Sequence, residues 1–318
     1  MLSCHQIDDI VKMKRNNMKK VLLSVLAATL MLTVTGPAQA QDQKVLAIID
    51  SAINSNNFPE IIHEVCFTAK SILNNNHEAS CPNKQYFMEG KGSASATWPK
   101  SINDPTYHGD SMVKAALATD PNIKIVFIRF NNVNSTTGSN ALGGTPEALI
   151  AAIDWVSKNA EKYSIDALSI SQSGVSTDLK TKQKVLHPAC TDTSTANAIS
   201  QLSVKNIPTF AATGNDGLAN LVGFPACIPG VIGVGAMGSP TQFEKATNRG
   251  PGLDMVAFGK VKITKYNGSI TDIAGSSGAT VVSSASYVSK NTGKTFTEYI
   301  NSLVKVVLSG VSYPYASK

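Results

Sequence analysis

The chain has 318 residues, a formal net charge of +6, and 42% hydrophobic and 16% charged residues. The apolar share is near the globular norm and excludes a largely disordered chain. The charged share is well under the usual ~25%, with Ser, Thr and Asn in its place, which suits an extracellular enzyme better than a nucleic-acid binder.

Residues 1–17 are polar and lack an apolar period; they read as an upstream extension ahead of a natural start at Met18. Lys19 and Lys20 precede an uncharged apolar run from Val21 to Val34, which Gly36 and Pro37 break before Ala38-Gln39-Ala40. A basic start, an apolar stretch of about 7–15 residues and a small-x-small end are the parts of a secretory signal, and a membrane span would need about 20 apolar residues. Residues 18–40 are therefore expected to be a signal peptide. Residues 41–318 are then one domain, secreted to the periplasm or the medium and free of the membrane after cleavage. Cleavage after Ala40 would leave 278 residues with 23 basic and 20 acidic side chains. No basic run survives in them, so neither nucleic acid nor anionic lipid is an expected partner. Of five cysteines, Cys66, Cys81, Cys190 and Cys227 remain, an even number that predicts two disulfides. Among the three pairings, Cys66–Cys81 and Cys190–Cys227 are preferred because each closes a local loop. No Cys-x-x-Cys occurs, and no histidine sits at ligand spacing from them, which argues against a metal.

Beyond residue 40, short Val/Ile/Leu runs at 44–50, 123–130, 167–171, 208–212 and 231–236 predict strands covered on both faces, the mark of a parallel sheet. Helical periodicity predicts helices over 58–73, 109–118, 146–160, 194–205, 279–290 and 295–308. The clearest is 146–160, with Thr145 as N-cap, Pro146 at the first position and Glu147 at the positive helix end. Strands alternating with helices predict an α/β fold, a mostly parallel sheet with helices on both faces.

In such sheets the working residues gather at strand C-terminal ends and the helix starts that follow. Four polar residues fall there: Asp50 in IIDSAIN, His108 in YHGDSMVKAA, Asn215 in FAATGNDG and Ser277 in IAGSSGATVV. Each has a bland reading as a turn former, a structural histidine, a loop or a flexible turn. Together, Asp, His and Ser are the parts of an activated nucleophile. A serine hydroxyl needs an imidazole to take its proton, and the imidazole needs a carboxylate to fix its tautomer and stabilise its charge. An α/β-hydrolase would need a histidine after Ser277 and glycine at 279, where Ala279 stands. The chymotrypsin order would need His before Asp on an all-β chain. Asp…His…Ser on an α/β layout remains.

Over essentially all of 44–290 the chain resembles the subtilisin (subtilase) family of serine proteases. Asp50-Ser51, His108-Gly109 and Gly275-Ser276-Ser277 with Ala279 match its three catalytic motifs, and Thr213 to Gly217 resembles its oxyanion-hole segment. Pro225-Ala226, the run Val231 to Ala236 and the stretch Asp254 to Gly259 resemble further recurrent segments. The resemblance implies a three-layer fold. It makes Ser277 the nucleophile, His108 the general base and then acid, Asp50 the orienting carboxylate and Asn215 the oxyanion donor. Ser171, Gln172, Ser173 and Gly174 would pair with an extended substrate and, with Ala212, Thr213 and Gly214, line the primary specificity pocket. Protein or peptide substrates are implied, with no cofactor needed for catalysis. The family often holds structural calcium, for which no set of residues here makes a match. A monomer is expected.

Departures are Ala52 for Gly, Asp110-Ser111 for Thr-His, Ser173 for Gly, Phe258 for Pro, Gly278 for Met and Val281 for Pro. Asp110, if close to the imidazole, would raise the His108 pKa. Ser173 would narrow the pocket. Asp50 follows Ala40 so closely that the family's folding-assisting pro-domain does not fit between them. Two alternatives are a subtilisin-fold binding protein that no longer cleaves, and an acid-acting serine-carboxyl peptidase, against which His108 and Asn215 argue.

Overall fold

The computed structural model describes residues 43–69, 79–95, 108–131, 144–264, 269–290 and 293–317. The expected upstream extension and signal peptide lie outside them. Lys44–Lys318 makes one compact unit.

In chain order the strands are β1 (Val45–Asp50), β2 (Ile61–Phe67), β3 (Phe87–Glu89), β4 (Lys124–Arg129), β5 (Ala167–Ile170), β6 (Ser176–Thr177), β7 (Lys184–Val185), β8 (Thr209–Ala212), β9 (Val231–Ser239) and β10 (Gln242–Phe243). After these come β11 (Met255–Phe258), β12 (Val261–Thr264), β13 (Ile270–Ile273), β14 (Lys305–Leu308) and β15 (Val311–Ala316). The α-helices are α1 (His108–Thr119), α2 (Pro146–Asn159), α3 (Thr193–Val204), α4 (Ser276–Lys290) and α5 (Phe296–Ser302).

The main sheet runs β14-β15-β11-β9-β8-β5-β1-β4-β2-β3, with β10 added beside β9. From β2 through β15 its neighbours pair in parallel, and β3, β10 and β14 join the margins antiparallel. Because side chains alternate along a strand, each central strand feeds two cores. Val45, Ala47 and Ile49 of β1 enter the core beneath α2 and α3. Leu46 and Ile48 enter the opposite core beneath α1, α4 and α5. The same division holds for Val126 and Ile128 against Ile125 and Phe127 on β4. Every residue of β1 is buried, and a fully buried Ile or Leu contributes about 1.5–3 kcal/mol. The fold is thus three layers, helices on both faces of a mostly parallel sheet.

Helix α2 starts as its residues dictate: the Thr145 hydroxyl accepts from the Ala148 N–H at 3.2 Å, with proline in the first turn. Helix α4 is buried from Ser276 through Val288. Two of its buried hydroxyls are served within the helix: Thr280 Oγ1 donates to the Ser276 carbonyl at 2.8 Å and Ser284 Oγ to the Val281 carbonyl at 3.1 Å.

Two predicted helices are corrected. Within 58–73, residues Ile61–Phe67 form strand β2, and 70–73 lie outside the described residues. Apolar residues at 58, 61, 62, 65 and 69 imitate a helical stripe, but Ile61, Ile62 and Val65 are β-branched and pairing with β4 decides the outcome. Glu64 fastens the strand, accepting from Ser55 Oγ at 2.9 Å and the Ala94 N–H at 3.1 Å. Within 295–308, only Phe296–Ser302 is helical, opened by a capping box between Thr295 and Glu298. Lys305–Leu308 then becomes β14, because Ser309 and Gly310 take φ of 50° and 80° and turn the chain into an antiparallel hairpin with β15. The expected disulfides join Cys66 to Cys81 and Cys190 to Cys227.

Candidate active site

Strand β1 delivers Asp50 to the C-terminal edge of the sheet, where its carboxylate is fully buried. Oδ1 accepts from its neighbour's amide, Ser51 N, at 2.6 Å and is 2.7 Å from His108 Nδ1. A carboxylate can only accept, so Nδ1 carries the proton and Nε2 of the neutral ring keeps its lone pair. His108 is the first residue of α1, and its side chain is 25% exposed, open enough to meet a substrate. Burial opposes the imidazolium, but the Asp50 charge and hydrogen bond outweigh it and hold the His108 pKa above its ordinary 6.5.

The loop after β1 is tied to α1 at two further points. The Gly109 N–H donates to Ser51 Oγ at 2.9 Å, and the Asn54 N–H donates to Asp110 Oδ1 at 2.9 Å. A side chain at 109 would sit 2.7 Å from the Ser51 carbonyl, so only glycine lets the strand end and the helix start approach this closely. Asp110 is 2% exposed, and burial pushes its carboxyl up to about 7 against the Asn54 hydrogen bond and the Lys114 charge. The expectation that Asp110 raises the His108 pKa is not met: Asp50 is the charge that acts on the ring.

Ser277 lies in the first turn of α4, 9% exposed. Its N–H is among the first amides of the helix, which lack an intrahelical acceptor. Its hydroxyl donates to the Ser171 carbonyl at 2.9 Å, and the Ser171 hydroxyl donates back to the Ser277 carbonyl at 3.0 Å. Among the described residues no hydrogen bond joins Ser277 to His108. Asn215 follows β8 and is exposed. Its Oδ1 accepts from both the N–H and the hydroxyl of Ser276, at 2.9 and 3.0 Å, which fixes the amide and leaves its Nδ2 protons for another acceptor. Gly275, with φ of 103°, makes this possible: a Cβ there would fall 2.8 Å from Asn215 Oδ1.

Thus Asp50 and His108 are in contact, and Asn215 and Ser277 flank the same helix start through Ser276. Ser171 meets Ser277 directly. Ser276 and Ser51 escaped the sequence reading as site residues, although both adjoin predicted ones. Phe224 was missed as well: it exchanges backbone hydrogen bonds with Gly174, and its place just ahead of the quoted Pro225-Ala226 was the available signal. Gly278, a departure from the family's pattern, is explained by the Gly259 carbonyl, with which any Cβ at 278 would collide. Among the described residues no cluster of three or more His, Cys, Asp or Glu could hold a metal, so no calcium site is assigned. No helix among them is long and apolar enough to cross a membrane.

A sheet of this order, with an aspartate at one strand end and a histidine and a serine at two helix starts, has the architecture of a subtilisin-like serine peptidase. Residues 41–299 match the profile of the subtilase family, peptidase S8, and the chain belongs to that family. It is 27% identical to subtilisin DY of Bacillus licheniformis over 188 residues, which is 55% of this chain and 60% of that protein's length. Among solved structures, proteases of Pseudoalteromonas arctica superpose with a TM-score of 0.61 at 16% identity, covering 86% of this chain and 87% of theirs. A cold-adapted subtilisin-like serine proteinase gives 0.55 at 21% identity over the same shares. At these identities the superpositions speak for the fold.

Proposed function

We propose that the chain is an exported serine endopeptidase that cleaves peptide bonds through Asp50, His108 and Ser277. The observation that carries this is the 2.7 Å contact between Asp50 Oδ1 and His108 Nδ1, set at the sheet edge that also holds Ser277 and the pinned Asn215. An extended peptide laid along Ser171–Gly174 offers an N–H to the Ser171 carbonyl. The Ser277 hydroxyl, released from that carbonyl, turns to His108 Nε2. His108 takes the proton as Ser277 Oγ bonds to the scissile carbon, and the carbonyl oxygen gains its charge facing the Asn215 Nδ2 and the Ser277 N–H. The imidazolium, stabilised by Asp50, then protonates the leaving amine as the carbon–nitrogen bond breaks. Water repeats the cycle on the acyl-enzyme, His108 again taking and returning a proton. The two disulfides support export to an oxidising compartment.

One observation favours the second reading, a non-cleaving binding protein: the Ser277 hydroxyl rests on Ser171 rather than on His108. Hydrolysis decides between them. Purified protein is expected to digest casein, and Ser277→Ala to lower the rate to about 10⁻⁶ of the parent, the loss known for the corresponding serine of a subtilisin. Casein left intact by the parent, or equal digestion by both, would sink the endopeptidase reading.

A further inference from the structure

We propose that His63, Glu89 and Tyr163 form a binding site for one divalent transition-metal ion, Cu²⁺ or Zn²⁺. The site is separate from the peptidase machinery and stands whether or not the chain cleaves peptides.

Three elements meet there. His63 belongs to β2, Glu89 to β3 and Tyr163 to the turn that follows α2. His63 is level with Val126 in the middle of β4, whereas Asp50 is level with Arg129 at its end. The trio therefore lies on the margin of the sheet, short of the edge that carries Asp50. His63 Nε2 is 2.9 Å from Glu89 Oε1 and 2.9 Å from the Tyr163 hydroxyl, which is itself 3.2 Å from the same Oε1.

Hydrogen bonds alone do not account for this triangle. A carboxylate only accepts, the tyrosine hydroxyl has one proton, and Nε2 has at most one. Two protons cannot fill three edges, so one short contact always lacks a proton of its own. A cation set against the three atoms satisfies every edge at once. Donors about 2.1 Å from one ion stand about 3.0 Å apart at a right angle and about 3.4 Å apart at the tetrahedral angle. The observed 2.9, 2.9 and 3.2 Å lie close to these spacings.

The donors are also held in advance. The His63 ring stacks on Tyr163 with centroids 4.3 Å apart, and lies within 6° of parallel to Trp155 at 5.8 Å. Trp155 is part of the core beneath α2, so His63 cannot swing away without breaking that packing. Glu89 is placed by the pairing of β3 with Val65 of β2. The side chains of His63 and Glu89 are 16% and 32% exposed, and water completes the coordination from the open side. Lys162, whose ammonium lies 4.7 Å from the centre of the Tyr163 ring, is exposed and swings to water as the ion enters. An imidazole nitrogen beside carboxylate and phenol oxygens suits Cu²⁺ and then Zn²⁺, whereas Ca²⁺ and Mg²⁺ take oxygen donors. Uptake of the ion releases the Tyr163 proton and any proton on Nε2.

Calorimetric titration of the chelator-treated protein with Cu²⁺ or Zn²⁺ alone tests the proposal. One ion per chain is expected at this site, and Ca²⁺ should not compete for it. A visible phenolate-to-Cu²⁺ absorption should accompany Cu²⁺ uptake and vanish in Tyr163→Phe, which keeps the stacked ring. Outer partners of a metal ligand are already worth about 10–100-fold in affinity, so His63→Phe and Glu89→Gln should each weaken Zn²⁺ binding at least ~10-fold. Zn²⁺ should raise the Tm of the parent and leave that of these variants in place. Should His63→Phe fail to fold, Glu89→Gln and Tyr163→Phe decide. A parent that binds neither ion, Cu²⁺ uptake without the visible absorption, or variants that hold the ion as tightly as the parent would overturn the proposal.

Discussion

Asp50 does two things to His108 that can be measured apart: it fixes the proton on Nδ1, and it raises the ring's pKa against the opposing effect of burial. A general base works only when unprotonated, so kcat/KM should rise as pH passes a midpoint above 6.5. In Asp50→Asn the carboxylate is gone and burial acts alone. The turnover should fall by about 10⁴-fold, and the acid limb of the residual activity should move to lower pH; a limb that stays in place would show that Asp50 does not set the ring's charge. Asp110 carries a different pH effect, one on stability. Its carboxyl titrates at about 7 in the folded chain against 3.8 ordinarily. The folded state therefore holds the proton more tightly, and stability falls as pH rises from about 4 to about 7, then levels. Asp110→Asn keeps an acceptor for the Asn54 N–H and removes the charge. Its stability relative to the parent should grow across that window by about 4 kcal/mol. Urea unfolding at pH 4, 5.5, 7 and 8.5 reads this out, and a constant difference would contradict it. The placement of Asp50, His108, Asn215 and Ser277 at strand ends and helix starts was legible in the sequence, because each adjoins a strongly patterned element. Asp110 was legible as an oddity, but its hydrogen bond to Asn54 depends on how the β1 loop folds back onto α1, which spacing alone does not encode.

At the scale of elements, the buried strands β1, β4, β5, β8 and β9 were legible because apolar runs covered on both faces have no rival reading near them. Strands β2 and β14 were not. Both carry apolar residues at helical spacing, and both sit toward the margins of the sheet, where pairing with neighbouring strands outweighs local periodicity. The Ser309-Gly310 pair was the local sign that 295–308 could not be one helix. The Cys190–Cys227 disulfide links the loop carrying His187 to the segment carrying Phe224. Replacing both cysteines by serine should cost about 2–4 kcal/mol, a fall in Tm of about 5–15 °C. If Ser171–Gly174 holds the substrate, the replacement should also raise KM for peptide substrates more than it lowers kcat, because Phe224, which pairs with Gly174, is loosened while Asp50, His108 and Ser277 stay on their own elements. An unchanged KM would separate this disulfide from the substrate site.

For the whole molecule, the three layers and the sheet order put strand ends and helix starts on one edge, which Asp50 and Ser277 share although they lie more than 200 positions apart in the chain. The sequence order Asp, His, Ser excluded other hydrolase plans, and the family match over 41–299 agrees with it. The pairing of Ser277 with the Ser171 carbonyl was not legible, since it joins a backbone atom to a side chain across two elements. The account stands on Ser277 being a nucleophile that His108 can activate. Labelling of the purified protein with a fluorophosphonate probe tests this most directly. The parent should take one probe per chain, located at Ser277 by peptide mapping, with none in Ser277→Ala and a rate strongly reduced in Asp50→Asn. A parent that stays unlabelled, or a Ser277→Ala variant that labels as well as the parent, would contradict it.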